Sequence, residues 1–119
     1  MSDFTLENIK KIYENININK ALFVVKFNIL EDLKQKLINE EYPVCSINEC
    51  NKFINHNSRI LLINSMELEL LKNNQELYQE LHNINLVIFI DTPIIPNPEF
   101  YKDYFNMNIN NNIDYIFQI

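Results

Sequence analysis

The 119-residue chain contains no glycine. Phosphate-cradling loops, dinucleotide-binding fingerprints and tight hairpins rely on glycine, because it alone enters left-handed backbone conformations without a steric cost. We therefore expect neither a Walker-type nucleotide site nor a Rossmann cofactor site, and we predict no bound cofactor. Asparagine, which is abundant in this sequence, can take some of the left-handed positions instead.

Basic residues are scarce. The chain has ten lysines and arginines against sixteen aspartates and glutamates, a net charge of -6, and Arg59 is its single arginine. Because binding to a nucleic-acid backbone needs clustered Lys and Arg, this balance disfavours such a partner without excluding a small local contact. The densest basic region holds Lys10, Lys11 and Lys20, a pattern that is also typical of a solvated helix face.

Cysteines and long apolar runs are scarce as well. Cys45 and Cys50, with two histidines, do not supply the ligand spacing of a zinc site. Free thiols indicate an intracellular, reducing compartment, such as cytoplasm, nucleus, or a virus factory or particle. The start of the chain is polar and acidic, unlike a signal peptide, and no run approaches membrane-spanning length, so we expect no membrane partner. The excess of Asn and Ile is typical of an AT-rich genome, for example that of a protist or a large DNA virus.

Five segments predict strands: three are continuous or nearly continuous apolar runs, one is a short segment introduced by Pro43, and the last alternates in part. They cover residues 21–27, 42–47, 59–63, 86–90 and 113–119. Helical periodicity covers residues 5–18, 29–40, 67–81 and 99–105, with one helical turn within 48–57. The segment at 67–81 is either one helix or two short helices that meet at Asn73 and Asn74. Asn28 is placed to cap the second of these helices.

Strands that alternate with helices predict parallel pairing through right-handed crossovers. The predicted fold is an α/β three-layer sandwich, a mostly parallel sheet of about five strands with helices on both faces. No linker or repeat interrupts the pattern. We therefore predict a single domain over residues 1–119, with an N-terminal helix at about 4–18 and a core from 20 to 119.

The fourth strand ends in an acidic residue, where open α/β sheets usually place their functional groups. Asp91 could act as an acid there, or it could cap the proline-rich turn that follows. Glu67 and Glu69 follow the third strand and could join Asp91 in a metal site. Carboxylates in a first helical turn are equally explained by the helix dipole.

Two sets of residues have the composition of a nucleophilic site. Ser65, His82 and Asp91 are the residue types of a triad, but a nucleophile elbow usually needs glycine. Cys45 could pair with His56, yet a thiol within a buried strand behaves as a small hydrophobe. We expect neither set to be catalytic.

The segment after the prolines is rich in aromatic residues. Consecutive rings in a helix cannot all face the sheet, so one or two of them would be exposed, as in interface anchors, unless all are core or boundary residues. The predicted interaction surface consists of Ile94, Ile95, Phe100, Tyr101 and Tyr104.

Four motifs follow one another in a familiar order. They are Ala-Leu-Phe-Val-Val-Lys-Phe at 21–27 with its Leu/Glu/Lys helix, Arg-Ile-Leu-Leu-Ile-Asn-Ser at 59–65, the strand at 86–90 with Asp91 and its prolines, and Asp-Tyr-Ile-Phe-Gln-Ile at 114–119. In the order of these motifs and in their pattern of apolar and polar residues, nearly the full chain resembles the C-terminal, second RecA-like lobe of the Swi/Snf-type helicase-related ATPases. The resemblance implies a RecA-like helicase-lobe fold.

The nucleotide-contacting parts of that family are missing. The helix at 99–106 has none of the family's Gln, Gly or paired Arg residues, the segment at 66–74 has no glycine, and the segment at 48–58 is shortened. A first lobe with its phosphate-binding loop is also absent from these residues. A phosphoryl-transfer site without such groups cannot stabilise its transition state. The resemblance therefore implies a degenerate lobe, a pseudo-enzyme without ATPase motifs.

The leading functional expectation is a non-catalytic, helicase-lobe-like domain that binds protein or serves as a structural subunit of a larger assembly, of the transcription or virus-particle type. One alternative is a nucleic-acid-binding accessory factor whose binding weakens steeply with salt. Its contacts would be Lys10, Lys11, Lys20, Lys26 and Lys52. A third is a small hydrolase or metal enzyme that uses Asp91, Glu67 and Glu69.

Overall fold

Strands and helices alternate through residues 3–91 and 113–119, which the computed structural model describes, with the backbone alone for residues 3–5 and 69. The helices are α1 (Asp3–Asn15), α2 (Leu30–Asn39), α3 (Cys50–Ile54) and α4 (Gln75–Glu80). The strands are β1 (Lys20–Val25), β2 (Val44–Ser46), β3 (Ile60–Asn64), β4 (Ile84–Ile90) and β5 (Tyr115–Gln118). Short 3₁₀ helices occupy Phe27–Ile29, Ile47–Glu49, Glu67–Asn73 and Leu81–Asn83.

The five strands form one sheet in the order β2-β3-β1-β4-β5, and every neighbouring pair is parallel. Val25, at the end of β1, pairs with Asn64 of β3 and Ile90 of β4, so the three central strands end at the same level. Every residue of β1 is buried, as expected for a strand covered on both faces. The predicted three-layer α/β fold is confirmed.

Alternate residues of the strands pack into two separate hydrophobic cores, one on each face of the sheet. The core beneath α1 and α2 contains the following side chains from helices and strands: Ile9, Leu33, Leu37, Phe23, Leu62 and Ile88. The core beneath α3 and α4 contains Phe53, Leu77, Leu22, Leu61 and Val87. A right-handed crossover places its helix on one face when the chain moves one way along the sheet and on the other face when it returns, which explains this division.

An extra residue, Asn85, interrupts the pairing of β4 with β1. Ile84 and Leu86, on either side of it, pair with consecutive residues of β1. The Asn85 side chain accepts a hydrogen bond from the Asn19 backbone N–H at 3.0 Å and donates one to the Asn17 carbonyl at 2.9 Å. This bulge therefore fastens the connection between α1 and β1 to the start of β4.

Within the described part of the chain, three residues adopt a left-handed backbone: Glu41, His56 and Asp91, with φ of 66°, 66° and 50°. A residue with a Cβ atom in this region costs roughly 1–2 kcal/mol, since Cβ approaches the following carbonyl oxygen. The chain therefore makes its left-handed turns with residues that are strained there.

Two of these residues end helices. Beyond α2, the Glu41 N–H donates to the Ile38 carbonyl at 2.9 Å and the Tyr42 N–H donates to the Leu37 carbonyl at 3.0 Å, the bond pair of a Schellman motif. His56 ends α3 with the same two-bond pattern. Glutamate and histidine thus occupy positions that usually hold glycine.

Several element boundaries differ from those predicted. Helix α1 ends at Asn15, and Asn28 does not cap α2, because it lies inside the 3₁₀ helix Phe27–Ile29 that precedes α2. Of the two alternatives for residues 67–81, the structure has two short helices, and they meet at Asn74, whose side chain accepts a hydrogen bond from the Leu77 N–H at 3.1 Å and caps α4. The helix predicted at 99–105 lies outside the described residues. Among those described, no helix has the length and apolarity needed to span a bilayer.

Replacing Glu41 with glycine is expected to raise the free energy of unfolding by about 0.5–1 kcal/mol, because glycine relieves the left-handed strain. Urea unfolding followed by circular dichroism would measure this change. Asn39→Gly, inside the last turn of α2, is the matched control and is expected to lower the same quantity by about 0.3 kcal/mol. If both variants lose stability equally, the strain at Glu41 is not relieved by glycine.

Candidate functional site

An open cleft of about 400 Å³ lies at the carboxyl end of the sheet. The residues that line it come from the ends of β1, β2 and β3 and from the starts of the segments that follow them. They are Phe27, Leu30, Glu31, Ser46, Ile47, Asn48, Asn64 and Glu67. The chain leaves β1 toward one face and leaves the neighbouring β3 toward the other. This divergence is the topological switch point at which open α/β sheets bind ligands.

The β3 wall of the cleft is a self-capping turn. The Asn64 side-chain oxygen accepts hydrogen bonds from the Met66 and Glu67 backbone N–H groups at 2.8 and 3.0 Å. In return, the Glu67 carboxylate accepts one from the Asn64 N–H at 3.0 Å. This reciprocal pattern is that of a capping box, so Glu67 has the helix-start role considered in the sequence.

The β2 wall contains a polar cluster centred on Glu49. Its carboxylate accepts hydrogen bonds from the Ser46 hydroxyl at 2.9 Å, from Lys34, and from the Lys52 ammonium at 3.0 Å. The Lys34 ammonium also lies 3.1 Å from the Ser46 hydroxyl oxygen. Lys34 first, then Lys52 and Ser46, hold the pKa of the Glu49 carboxyl well below its usual range. Glu49 therefore stays ionised and is a poor candidate for a general base.

Large apolar side chains are exposed beside the cleft. Phe27 is 68% exposed and Met66 is 72% exposed, and each lies two residues beyond the paired ends of β1 and β3. Leu70, in the 3₁₀ helix that follows β3, is 48% exposed. We call Phe27, Met66 and Leu70 the carboxyl-end patch. Phe27 and Met66 follow the paired ends of neighbouring strands, and exposed apolar side chains that share one end of a sheet favour an interaction surface.

The structure does not bring Ser65, His82 and Asp91 together. His82 precedes β4 and Asp91 follows it, so the length of a seven-residue strand, roughly 20 Å, separates them. The His82 ring nitrogen lies 3.0 Å from the Tyr78 carbonyl oxygen, at the end of α4. Asp91 is exposed, and its backbone N–H donates to the Ile119 carbonyl at 2.9 Å. The triad combination is therefore wrong.

The thiol of Cys45 is buried in β2, as expected. Burial raises its pKa to about 11, which leaves the thiol protonated and unreactive near neutral pH. His56 is on the loop after α3, with its ring nitrogen 3.8 Å from the Glu80 carboxylate. The Cys45 environment is that of a core residue.

Lys20, one of the predicted nucleic-acid contacts, is buried. Its side chain is 3% exposed, and its ammonium lies 2.6 Å from a Glu80 carboxylate oxygen and 4.4 Å from the centre of the Phe53 ring. Burial tends to raise the pKa of Glu80, but the hydrogen bonds from Lys20 and Asn83 outweigh it and lower that pKa. Lys20 therefore cannot contact a phosphate backbone. Its position two residues before Leu22, on the same face of β1, was the signal for burial in the sequence.

Two further lysines of that set are ion-paired. Lys10 lies 2.9 Å from a Glu40 carboxylate oxygen, and Lys52 lies 3.0 Å from Glu49. The carboxyl of Glu40 raises the pKa of Lys10 through their hydrogen bond. These pairs reduce the positive charge that a nucleic acid would meet at α1 and α3.

The remaining predicted site residues are only partly described. Within residues 3–91 and 113–119, no three His, Cys, Asp or Glu side chains are grouped so that they could hold a metal ion. The Glu69 side chain is outside that description. The predicted interaction surface of Ile94, Ile95, Phe100, Tyr101 and Tyr104 also lies outside the described residues and stays a prediction.

Comparisons with known proteins identify the fold. The sequence matches no protein-family model and no curated protein. A solved structure described as the C-terminal domain of the DEAD-box protein Dbp5 is similar, with a TM-score of 0.64 and 13% sequence identity. The match covers 99% of this chain and 71% of that one. The chain thus has the fold of a RecA-like helicase lobe, as the sequence resemblance predicted.

Replacing Glu49 with glutamine is expected to lower the free energy of unfolding at pH 7 by about 1 kcal/mol, because two lysines lose their anionic partner. The depressed pKa means that this contribution is present above about pH 4.5 and is lost as the pH falls through the folded-state value. The variant should therefore lose less stability than the wild type on acidification below that pH. Urea unfolding across the acid range tests this, with Glu31→Gln on the exposed start of α2 as the control. Parallel pH curves for Glu49→Gln and the wild type would contradict it.

Proposed function

We propose that this chain is a helicase-lobe-like domain that acts by binding another protein and does not hydrolyse nucleotide. The observation that carries the proposal is the carboxyl-end patch of Phe27, Met66 and Leu70 beside an open cleft. It occupies the end of the sheet that α/β proteins use for binding. Phenylalanine and methionine are enriched in the cores of protein interfaces, where such exposed side chains become buried.

We also propose that the domain is a degenerate second lobe of the Swi/Snf type, within a larger assembly of the transcription or virus-particle type. The sequence motifs support the lineage. The hydrogen bonds near the cleft support the absence of ATPase activity in this proposal. Asn64, Glu67 and Glu49 accept hydrogen bonds that stabilise their own turns. The single arginine, Arg59, precedes β3 and so lies at the opposite end of the sheet.

The nucleic-acid alternative has weaker support. Of the five lysines it requires, Lys20 is buried, and Lys10 and Lys52 are paired with glutamates. A single-stranded RNA or DNA probe at low salt would test it. Binding that weakens steeply as salt is added would favour this alternative over the protein-binding function.

The purified chain is expected to release phosphate from ATP no faster than buffer does, with magnesium present and with or without single-stranded RNA. The physical reason is that the sequence supplies neither a glycine-rich phosphate loop nor paired arginines to stabilise the transferred phosphoryl group. A colorimetric phosphate assay measures this rate. Turnover that scales with protein concentration and is stimulated by RNA would contradict the non-catalytic proposal.

The double change Phe27→Asp and Met66→Asp is expected to abolish capture of a stoichiometric partner by the tagged chain in its source cells. Charged groups at the carboxyl-end patch would have to be desolvated when the partner binds. Quantitative mass spectrometry of the captured proteins, for wild type and variants, provides the measurement.

Ile38→Asp is the matched control, because Ile38 is also exposed, at 43%, but lies in the last turn of α2, away from the cleft. This variant should retain the partner. Equal capture by all three forms would contradict the role of the patch, and the absence of any stoichiometric partner would contradict the proposed function itself.

A further inference from the structure

We propose that the cleft receives a short basic segment of the partner protein, with one apolar side chain inserted beside Phe27 and a lysine or arginine next to Glu31 and Glu67. This inference rests on the proposed protein-binding function and specifies the chemistry of the partner. It follows from the size, the apolar lining and the charge of the cleft.

The size of the cleft suits side chains rather than a broad surface. A volume of about 400 Å³ lies at the lower end of the range for small-ligand pockets and can hold one or two large side chains. Its apolar lining is formed by Phe27, Leu30 and Ile47. Leu30 is only 9% exposed, so it forms the floor, whereas the 68% exposed Phe27 ring stands at the rim. An inserted apolar side chain would bury the Phe27 ring, which is the favourable part of the contact.

The acidic charge of the cleft indicates which residues of the partner flank the inserted apolar side chain. The two charged side chains that line it are both acidic, Glu31 and Glu67. Neither Lys26 nor Lys34 lines the cleft, and Lys34 is ion-paired with Glu49 and hydrogen-bonded to the Ser46 hydroxyl. Complementary charge favours a cationic segment here, and the same carboxylates repel a phosphate backbone.

One of the two carboxylates is held in place before binding. The Glu67 carboxylate accepts a hydrogen bond from the Asn64 N–H at 3.0 Å. The Asn64 side-chain oxygen accepts a hydrogen bond from the Glu67 N–H, also at 3.0 Å. A group that is already ordered loses little conformational entropy when a cation approaches it. Glu31, in the exposed first turn of α2, lines the same cleft and provides the second acidic group.

A phage-displayed library of random twelve-residue peptides, selected on the full chain, tests the proposal. We expect enrichment of sequences in which a large apolar residue is adjacent to lysine or arginine. Phe27→Ser should abolish the enrichment, because it removes the ring at the rim of the cleft without adding a charge that would itself attract a basic peptide. Glu31→Lys should weaken the selected peptides by at least about fivefold in fluorescence anisotropy, because an attractive charge pair becomes a repulsive one. Both positions are exposed, so both variants should fold, which circular dichroism would verify.

Glu14→Lys, a charge reversal at an exposed position near the end of α1, is the matched control and should leave peptide affinity unchanged. Enrichment of acidic or uncharged peptides that still depends on Phe27 would overturn the basic-partner inference and leave the protein-binding function in place. Absence of enrichment, or enrichment that survives Phe27→Ser, would overturn the cleft as a peptide site. The capture experiment with the Phe27→Asp and Met66→Asp double variant reports separately on the proposed function.

Discussion

The burial of β1 on both faces is the constraint on which the rest of the structure depends. All six residues of this strand are buried, and the first of them is a lysine. A charged group removed from water needs an opposite charge and hydrogen-bond partners, and loss of one member of such a pair costs about 3–5 kcal/mol. Glu80 and the Phe53 carbonyl provide those partners for Lys20. The ends of α3 and α4 are therefore tied to the amino end of the sheet by the central strand itself.

At the opposite end of the sheet the polar groups have a different role. Asn64 and Glu67 cap one another, and Glu49 gathers Ser46, Lys34 and Lys52 into a single cluster. Residues of these types at strand ends suggest an active site when only the sequence is read. Here their hydrogen bonds are made to neighbouring turns, while the large apolar side chains of Phe27 and Met66 are exposed beside them. This contrast is the basis for proposing that the carboxyl end of the sheet binds a protein.

The parts of the fold that depend on periodicity could be predicted, and those that depend on single side chains could not. Continuous apolar runs such as 59–63 and 86–90 indicated buried parallel strands, because both faces of those strands are covered. Helix starts were less predictable, since Asn28 has the chemistry of a cap but lies inside a 3₁₀ helix. Lys20 was read from charge alone as a surface residue, although strand alternation places it in the core. The cleft between β1 and β3 could not be predicted from the sequence. It depends on the order of the strands in the sheet and on the opposite directions that the chain takes after β1 and β3, and local sequence patterns determine neither of these.

The left-handed helix ends at Glu41 and His56 have a consequence for how this sequence can change. Glycine codons all begin with two guanines, whereas the codons for the abundant asparagine and isoleucine are rich in adenine and thymine. For Glu41, a single base substitution reaches glycine, the residue best suited to that backbone conformation. In a chain whose gene is biased toward adenine and thymine, a residue such as Glu41 would therefore be kept at a helix end even though glycine there would be more stable. At Glu41, a change of one base could therefore stabilise the folded domain without altering its packing.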